Sequence, residues 1–226
     1  MRGPALDLKP TILARMDSQA PFGVWTASDF VDAGARDAVD QALHRLTKDQ
    51  QIRRLAWGLY DRPRVNSLTR KPNVPDPKAV IDALARRDNT RMLVDGLTAA
   101  NDLGLSDAVP AKVVVHTDAR LKPLQLGGLV ITFKKTAPSK LTWAGRPAMR
   151  VVQALYWLKD QLPVDGPRVR WRLQRLFDDP GHGPAIVDDL RRGFSALPAW
   201  MQDFLREMIM NDATGRPTHT ASTAPT

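Results

Sequence analysis

Val39, Ala42, Leu43 and Leu46 recur at the spacing that sets side chains on one face of an α-helix, and polar residues fill the positions between. The pattern predicts a helix from Arg36 or Asp37 to Lys48. Its opposite face carries Asp37, Gln41, His44 and Lys48, flanked by Asp40 and Arg45. Upstream, Ile12, Leu13 and Met16 predict a helix that opens near Pro10. Thr26 with Asp29 three residues on gives a capping-box-like start to a short helix, with Phe30 and Val31 as its apolar side. Gly34 is expected to turn the chain where a Cβ would resist. Downstream, Ile52-Arg53-Arg54-Leu55 predicts a strand, Ala56-Trp57-Gly58 a turn, and Leu59-Tyr60-Asp61 the return strand.

Pro63, Pro72, Pro75 and Pro77 then stand among polar residues. Proline lacks the backbone donor and fixes φ, so an extended connection is predicted. A helix starts at Asp76-Pro77 and runs through Ala79, Val80, Ala83 and Leu84, and another is expected from Thr90 to Leu103. The β-branched run Val113–Thr117 predicts a strand, and Leu124–Leu126 with Leu129–Phe133 a hairpin around Gly127-Gly128. A further strand is expected near Lys140–Thr142. Helices follow over Met149–Lys159, closed by Pro163, then Val169–Phe177, Ala185–Phe194 and Trp200–Met210. The stretch from Asn211, with Gly215, Pro217 and several Thr and Ser, has the composition of a disordered tail.

The elements add up to an α+β chain. A winged helix-turn-helix over residues 1–62 joins, through a Pro-rich connection over 63–77, a mixed domain over 78–212 with a small β-sheet and several helices. The tail occupies 213–226. Short helix, glycine turn, amphipathic helix and hairpin is the order of a winged helix-turn-helix, whose second helix enters the major groove of DNA.

Charge sharpens this reading. The 226 residues hold 33 Lys and Arg against 24 Asp and Glu, a net of +9, which favours an anionic partner. Between Arg45 and Lys71 the cations Arg45, Lys48, Arg53, Arg54, Arg62, Arg64, Arg70 and Lys71 meet only Asp49 and Asp61. The expected DNA-binding residues are Arg36, Gln41, His44, Arg45, Lys48, Arg53 and Arg54. Gln41, His44 and Arg45 carry donors for base edges, whereas Lys48, Arg53 and Arg54 suit phosphates, which position the helix without reading sequence. Asp37 and Asp40 would repel phosphate unless they accept from cytosine or hold a neighbouring arginine. A winged helix used only for protein contact would need no basic hairpin. Near the C-terminal end, Val169, Leu173 and Leu176 form an apolar stripe, with Arg168, Arg172 and Arg175 about 100° away. That basic stripe reads either as a solvated face or as a surface for an acidic partner or further DNA backbone.

Catalytic chemistry finds little support. The chain has no cysteine, which excludes disulfides, a thiol nucleophile and cysteine-based zinc sites. His44, His116, His182 and His219 form no pair at metal-binding spacing. Asp178-Asp179 and Asp188-Asp189 point apart on a helix rather than forming dyads. Gly181-His182-Gly183 and Gly127-Gly128 lack the strand-to-helix context of a phosphate loop. The expectation is therefore a protein that is not an enzyme and has no metal or cofactor. No apolar run approaches the roughly 18 residues of a membrane span, and no apolar signal-peptide core follows Met1, so a cytoplasmic, membrane-free protein is expected.

One family shares this order of motifs. Trp25-Thr26-x-x-Asp29-Phe30, Val39-Asp40-Gln41-Ala42-Leu43-x-Arg45-Leu46 and Ile52-Arg53-Arg54-Leu55-x-x-Gly58-Leu59-Tyr60 resemble the winged N-terminal domain of AbiEi-type antitoxins, of type IV toxin–antitoxin systems. Leu103-Gly104-Leu105-Ser106, Val109 through Asp118, Leu129 through Phe133 and Gln153-Ala154-Leu155 extend the likeness over about residues 22–160. The resemblance implies an antitoxin with two roles. Its winged domain would bind the double-stranded operator DNA of its own operon and repress it. Its α+β domain would support neutralisation of a cognate nucleotidyltransferase-like toxin. The alternative is a winged-helix transcription regulator with a sensor or dimerisation domain and no toxin partner.

Overall fold

A computed structural model describes residues 8–18, 23–65, 67, 70–108 and 112–210. The expected tail over 213–226 lies outside the described residues. Helix α1 (Leu8–Ser18) leads to strand β1 (Val24–Trp25) and a 3₁₀ turn (Ala27–Phe30). Helix α2 (Arg36–Lys48) follows, then the hairpin of β2 (Arg53–Ala56) and β3 (Leu59–Asp61). Strand β3 is central, in the order β1-β3-β2, with both pairings antiparallel.

Burial decides how these elements turn. Leu8, Ile12 and Met16 of α1 join Trp25, Phe30, Val39, Leu43, Leu46 and Ile52 in one cluster. Each such side chain favours the folded state by about 1.5–3 kcal/mol when fully buried, so α2 must present its other face outward. Trp25 and Phe30 stack with ring centroids 5.4 Å apart. The carboxylate of Asp29 accepts from the Thr26 amide at 2.7 Å and from its hydroxyl at 3.0 Å, which closes the start of the 3₁₀ turn. Arg15 forks onto Asp32, with both contacts at 2.7 Å, and holds that carboxyl below the usual carboxylate range. Gly34 serves differently from expectation. It is absent from the positive-φ glycines, and a Cβ there would meet Leu8 at 3.0 Å, so its small size makes room for α1.

After β3, Val65 and Pro72 form an isolated antiparallel bridge. Helix α3 (Pro77–Asp88) starts where the Asp76 side chain accepts from the Lys78 amide at 3.0 Å, with Pro77 in the first turn. It ends at Asn89, whose φ of 48° is left-handed. Arg86 of α3 donates to the Val24 carbonyl at 3.2 Å. A second sheet follows, built of β4 (Met92–Val94), β5 (Lys112–Thr117), β6 (Leu124–Leu126) and β7 (Leu129–Lys135) in the order β4-β5-β7-β6. Strand β5 is parallel to β7 and antiparallel to β4, and β6 is antiparallel to β7.

Two sequence expectations fail here. Residues 90–103 are not one helix: Met92–Val94 form a strand with every residue buried, and α4 covers Gly96–Asp102. A short apolar run buried on both faces has no period to separate strand from helix. Near Lys140 there is a 3₁₀ turn (Pro138–Lys140) instead of a strand, because Pro138 supplies a helical start.

The described residues within Met1–Asp95 and Pro110–Ala144 form one compact unit, and those within Gly96–Val109 and Gly145–Thr226 form another. The second sheet thus belongs with the N-terminal elements, whereas the chain-order reading divided the protein at 62 and 78. The other unit is helical: α4, α5 (Met149–Leu158), α6 (Leu162–Phe177), α7 (Gly183–Arg192) and α8 (Ala199–Met210). Helix α6 starts seven residues before the expected Val169, because Pro163 opens it rather than closing α5. Val169, Leu173 and Phe177 are buried in it, with Leu176 only partly covered. Asp189, 4% exposed, accepts from Arg146 at 3.0 and 3.1 Å and from the Ala148 amide at 3.1 Å. The architecture as a whole is α+β.

Replacing Asp189 with Ala leaves the buried Ala148 amide without its acceptor and takes the carboxylate from Arg146, and is expected to cost about 3 kcal/mol, read as the shift in urea unfolding. His116 of β5 accepts or donates through Nδ1 to the Thr136 hydroxyl at 3.0 Å. Burial first, then Lys134, push it below its ordinary value of 6.5, against the pull of Asp95. The unfolded ring therefore binds the proton more readily. Its contribution to folding is full above pH 6.5 and is lost as pH falls through the folded value. His116→Gln is expected to flatten the acid side of the stability profile, measured by thermal melts across that range.

Candidate nucleic-acid interface

The outward face of α2 carries Asp37, Gln41, His44 and Lys48 in a line, with Arg45 beside them, and all are exposed. The side chains of Gln41, His44 and Arg45 make no hydrogen bond or ion pair among the described residues. Arg36 spans one turn to Asp40 at 3.0 Å. One of the two troublesome carboxylates is thereby occupied, and the pair is exposed enough to exchange partners at little cost, about 0–1 kcal/mol.

Beside this face runs a groove of about 480 Å³, walled by Arg36 and Asp40 of α2, Ser28 of the 3₁₀ turn, Arg54, Trp57 and Tyr60 of the hairpin, and Arg87 with Asp88 at the end of α3. Gly58 takes φ +65° at the hairpin turn, which few side chains tolerate. Arg87 donates to the Trp57 carbonyl and is itself held by both oxygens of Asp88 at 2.7 Å.

The two hairpin arginines part company. Arg54 is exposed and lies over the Trp57 ring, 4.7 Å from its centroid. Arg53 points the other way. Its guanidinium donates to the buried Asp61 from Nε at 3.0 Å and to the Asn73 carbonyl at 2.9 Å. This geometry does not favour the phosphate role expected of Arg53, since its Nε and Nη2 are engaged within the protein. Successive strand residues face opposite sides, so Arg53 and Arg54 cannot both reach one surface. Arg62 in the same basic window is likewise committed, to Asp17 and the Leu13 carbonyl.

Sequence reasoning missed Trp57, Arg87 and Ser28 as groove residues. A tryptophan between two strands has no core to enter, and that was the available signal. Arg87 arrives from a distant helix and gave none. In the helical unit, Arg168, Arg172 and Arg175 are exposed as the stripe predicts. Trp171 stands among them, with Arg172 and Arg175 at 5.2 and 5.1 Å from its ring centroid, and Arg168 lies 3.8 Å from Asp165. Among the described histidines, His44 and His182 are exposed and His116 is in the second sheet. No group of three or more metal-ligating side chains occurs among the described residues, and none of their helices is long and apolar enough to cross a membrane.

Arg53 and Asp61 carry a stability prediction that separates them from Arg54. Asp61→Ala is expected to lower stability by about 2–3 kcal/mol, since it removes the carboxylate from the Arg53 guanidinium and leaves it only the Asn73 carbonyl. Arg54→Ala is expected to stay within about 0.5 kcal/mol in the same thermal melts, as an exposed residue should.

No curated protein matches the chain. A family of unknown function, DUF6088, matches residues 11–166, a span that contains the hairpin, the groove and both sheets. The chain belongs to this family.

Proposed function

We propose that the N-terminal elements are a winged helix-turn-helix that binds double-stranded DNA, with α2 as the recognition helix and the β2–β3 hairpin as the wing. The observation that carries this is a groove shared by the two elements: Arg36 and Asp40 of α2 and the exposed Arg54 of the hairpin border one cleft, which lies beside the exposed polar face of Gln41, His44 and Lys48. The order helix, strand, short helix, helix, hairpin, with β3 between β1 and β2, supports the same reading. Gln41, His44 and Arg45 meet base edges, and Lys48 and Arg54 meet phosphates. Arg36 gives up Asp40 to a phosphate or keeps it as a spacer at the groove wall.

The wider role we propose is the one implied by the resemblance to AbiEi-type antitoxins. The protein represses its own operon and opposes a nucleotidyltransferase-like toxin encoded beside it. The net charge of +9 suits an operator ligand.

Titration of DNA from upstream of the gene, read by fluorescence anisotropy, tests the DNA reading. Gln41→Ala and Arg45→Ala are each expected to cost about 1–3 kcal/mol on the preferred site and to relax base choice there. Lys48→Ala should weaken all sequences alike and reduce the salt slope by about one. Wild-type protein that shows no preference for the upstream DNA over a scrambled duplex sinks the operator role. Co-expression with the adjacent gene, scored as rescue of growth, tests the toxin role. Operator binding without rescue returns the reading to a regulator with no toxin partner.

A further inference from the structure

The hairpin turn holds a tryptophan where no core can take it. Trp57 is 81% exposed. It is braced nonetheless: Arg54 lies over its ring at 4.7 Å, and Arg54 Nε reaches the Ala56 carbonyl at 3.3 Å. Its own carbonyl is held by Arg87, which Asp88 fixes in turn. A flat apolar ring on a fixed tip, with a cation against it, has the composition of a binding hot spot and loses little entropy on contact. An indole has one donor and a wide apolar face, so it is poorly suited to a phosphate. Stacked bases offer the complementary surface. Trp57 borders the same groove as Arg36 and Asp40 of α2, so a duplex lying against that groove meets the Trp57 ring.

We propose that Trp57, braced by Arg54, is a wedge that enters the minor groove and partly unstacks one base step, so that the protein selects duplexes with a pyrimidine–purine step there. This rests on the DNA reading above and adds a substrate class to it. Apolar side chains inserted between base pairs kink the duplex by roughly 20–90°. Pyrimidine–purine steps yield to this at the lowest cost, so the wedge converts DNA deformability into sequence choice at a position that makes no base-edge hydrogen bond.

The test uses the full-length chain and its own upstream duplex, with 2-aminopurine placed at each candidate step in turn. Wild-type binding is expected to raise 2-aminopurine emission at one step and to favour TA or CA there over GC. Trp57→Ala should weaken binding about tenfold, abolish the emission rise and the step preference, and leave the salt slope unchanged. Trp57→Phe should keep most of each signal and serves if the alanine variant folds poorly. Unchanged affinity in Trp57→Ala overturns the wedge. So does weaker binding with the emission rise and step preference intact, which would make Trp57 a plain surface contact. Wild-type protein without affinity for any duplex overturns the DNA reading itself, and the wedge with it.

Discussion

Asp61 sits at 4% exposure in a three-stranded sheet, and a carboxylate so placed must have a partner. Arg53 provides it from the directly opposed position of the neighbouring strand, and adds a bond to the Asn73 carbonyl from the extended segment beyond. This pairing favours the observed hairpin register, because a slip that set Ile52 opposite Asp61 would leave the carboxylate without its arginine. It also binds the proline-rich segment back onto the sheet. Arg54 and Tyr60 stand opposite each other on the face away from Arg53 and Asp61, and both line the groove, with Tyr60 also packed against the N-terminal core.

The polar face of α2, which adjoins the groove wall of Arg36 and Asp40, has a different origin. Val39, Leu43 and Leu46 are wholly buried, and no rotation of α2 keeps them so while hiding Gln41, His44 and Lys48. The polar face is outward because the apolar face is inward. The groove between these walls then depends on α3, which supplies Arg87 to the hairpin turn and Arg86 to β1. Net charge describes such a surface poorly. Of the cations that make the segment from Arg45 to Lys71 so basic, Arg53 and Arg62 serve internal contacts, whereas Arg45, Lys48 and Arg54 face solvent.

The helical unit shows a comparable division of labour. Asp189 joins the loop before α5 to α7 through Arg146 and the Ala148 amide, while Arg168, Arg172 and Arg175 remain exposed around Trp171. Most of this unit lies past residue 166, where the family match ends.

The sequence by itself determined the elements whose signals are local. The helical period of Val39 through Leu46, the Thr26–Asp29 cap, the glycine turns at Gly58 and Gly127, and the breaks at Pro63–Pro77 are all set by neighbours a few residues apart. Periodicity failed at Met92–Val94, where burial on both faces erases the alternation that marks a strand, and at Pro163, which starts a helix as readily as it ends one. The α2 face was legible for the same local reason as α2 itself. Tertiary structure alone decided which arginine of the Arg53-Arg54 pair turns inward, since that depends on a carboxylate on the next strand. It alone brought Arg87 to Trp57 and joined the second sheet to the N-terminal elements. Those outcomes depend on contacts between residues far apart in the chain, and pairwise packing at such distance leaves no period in the sequence to read.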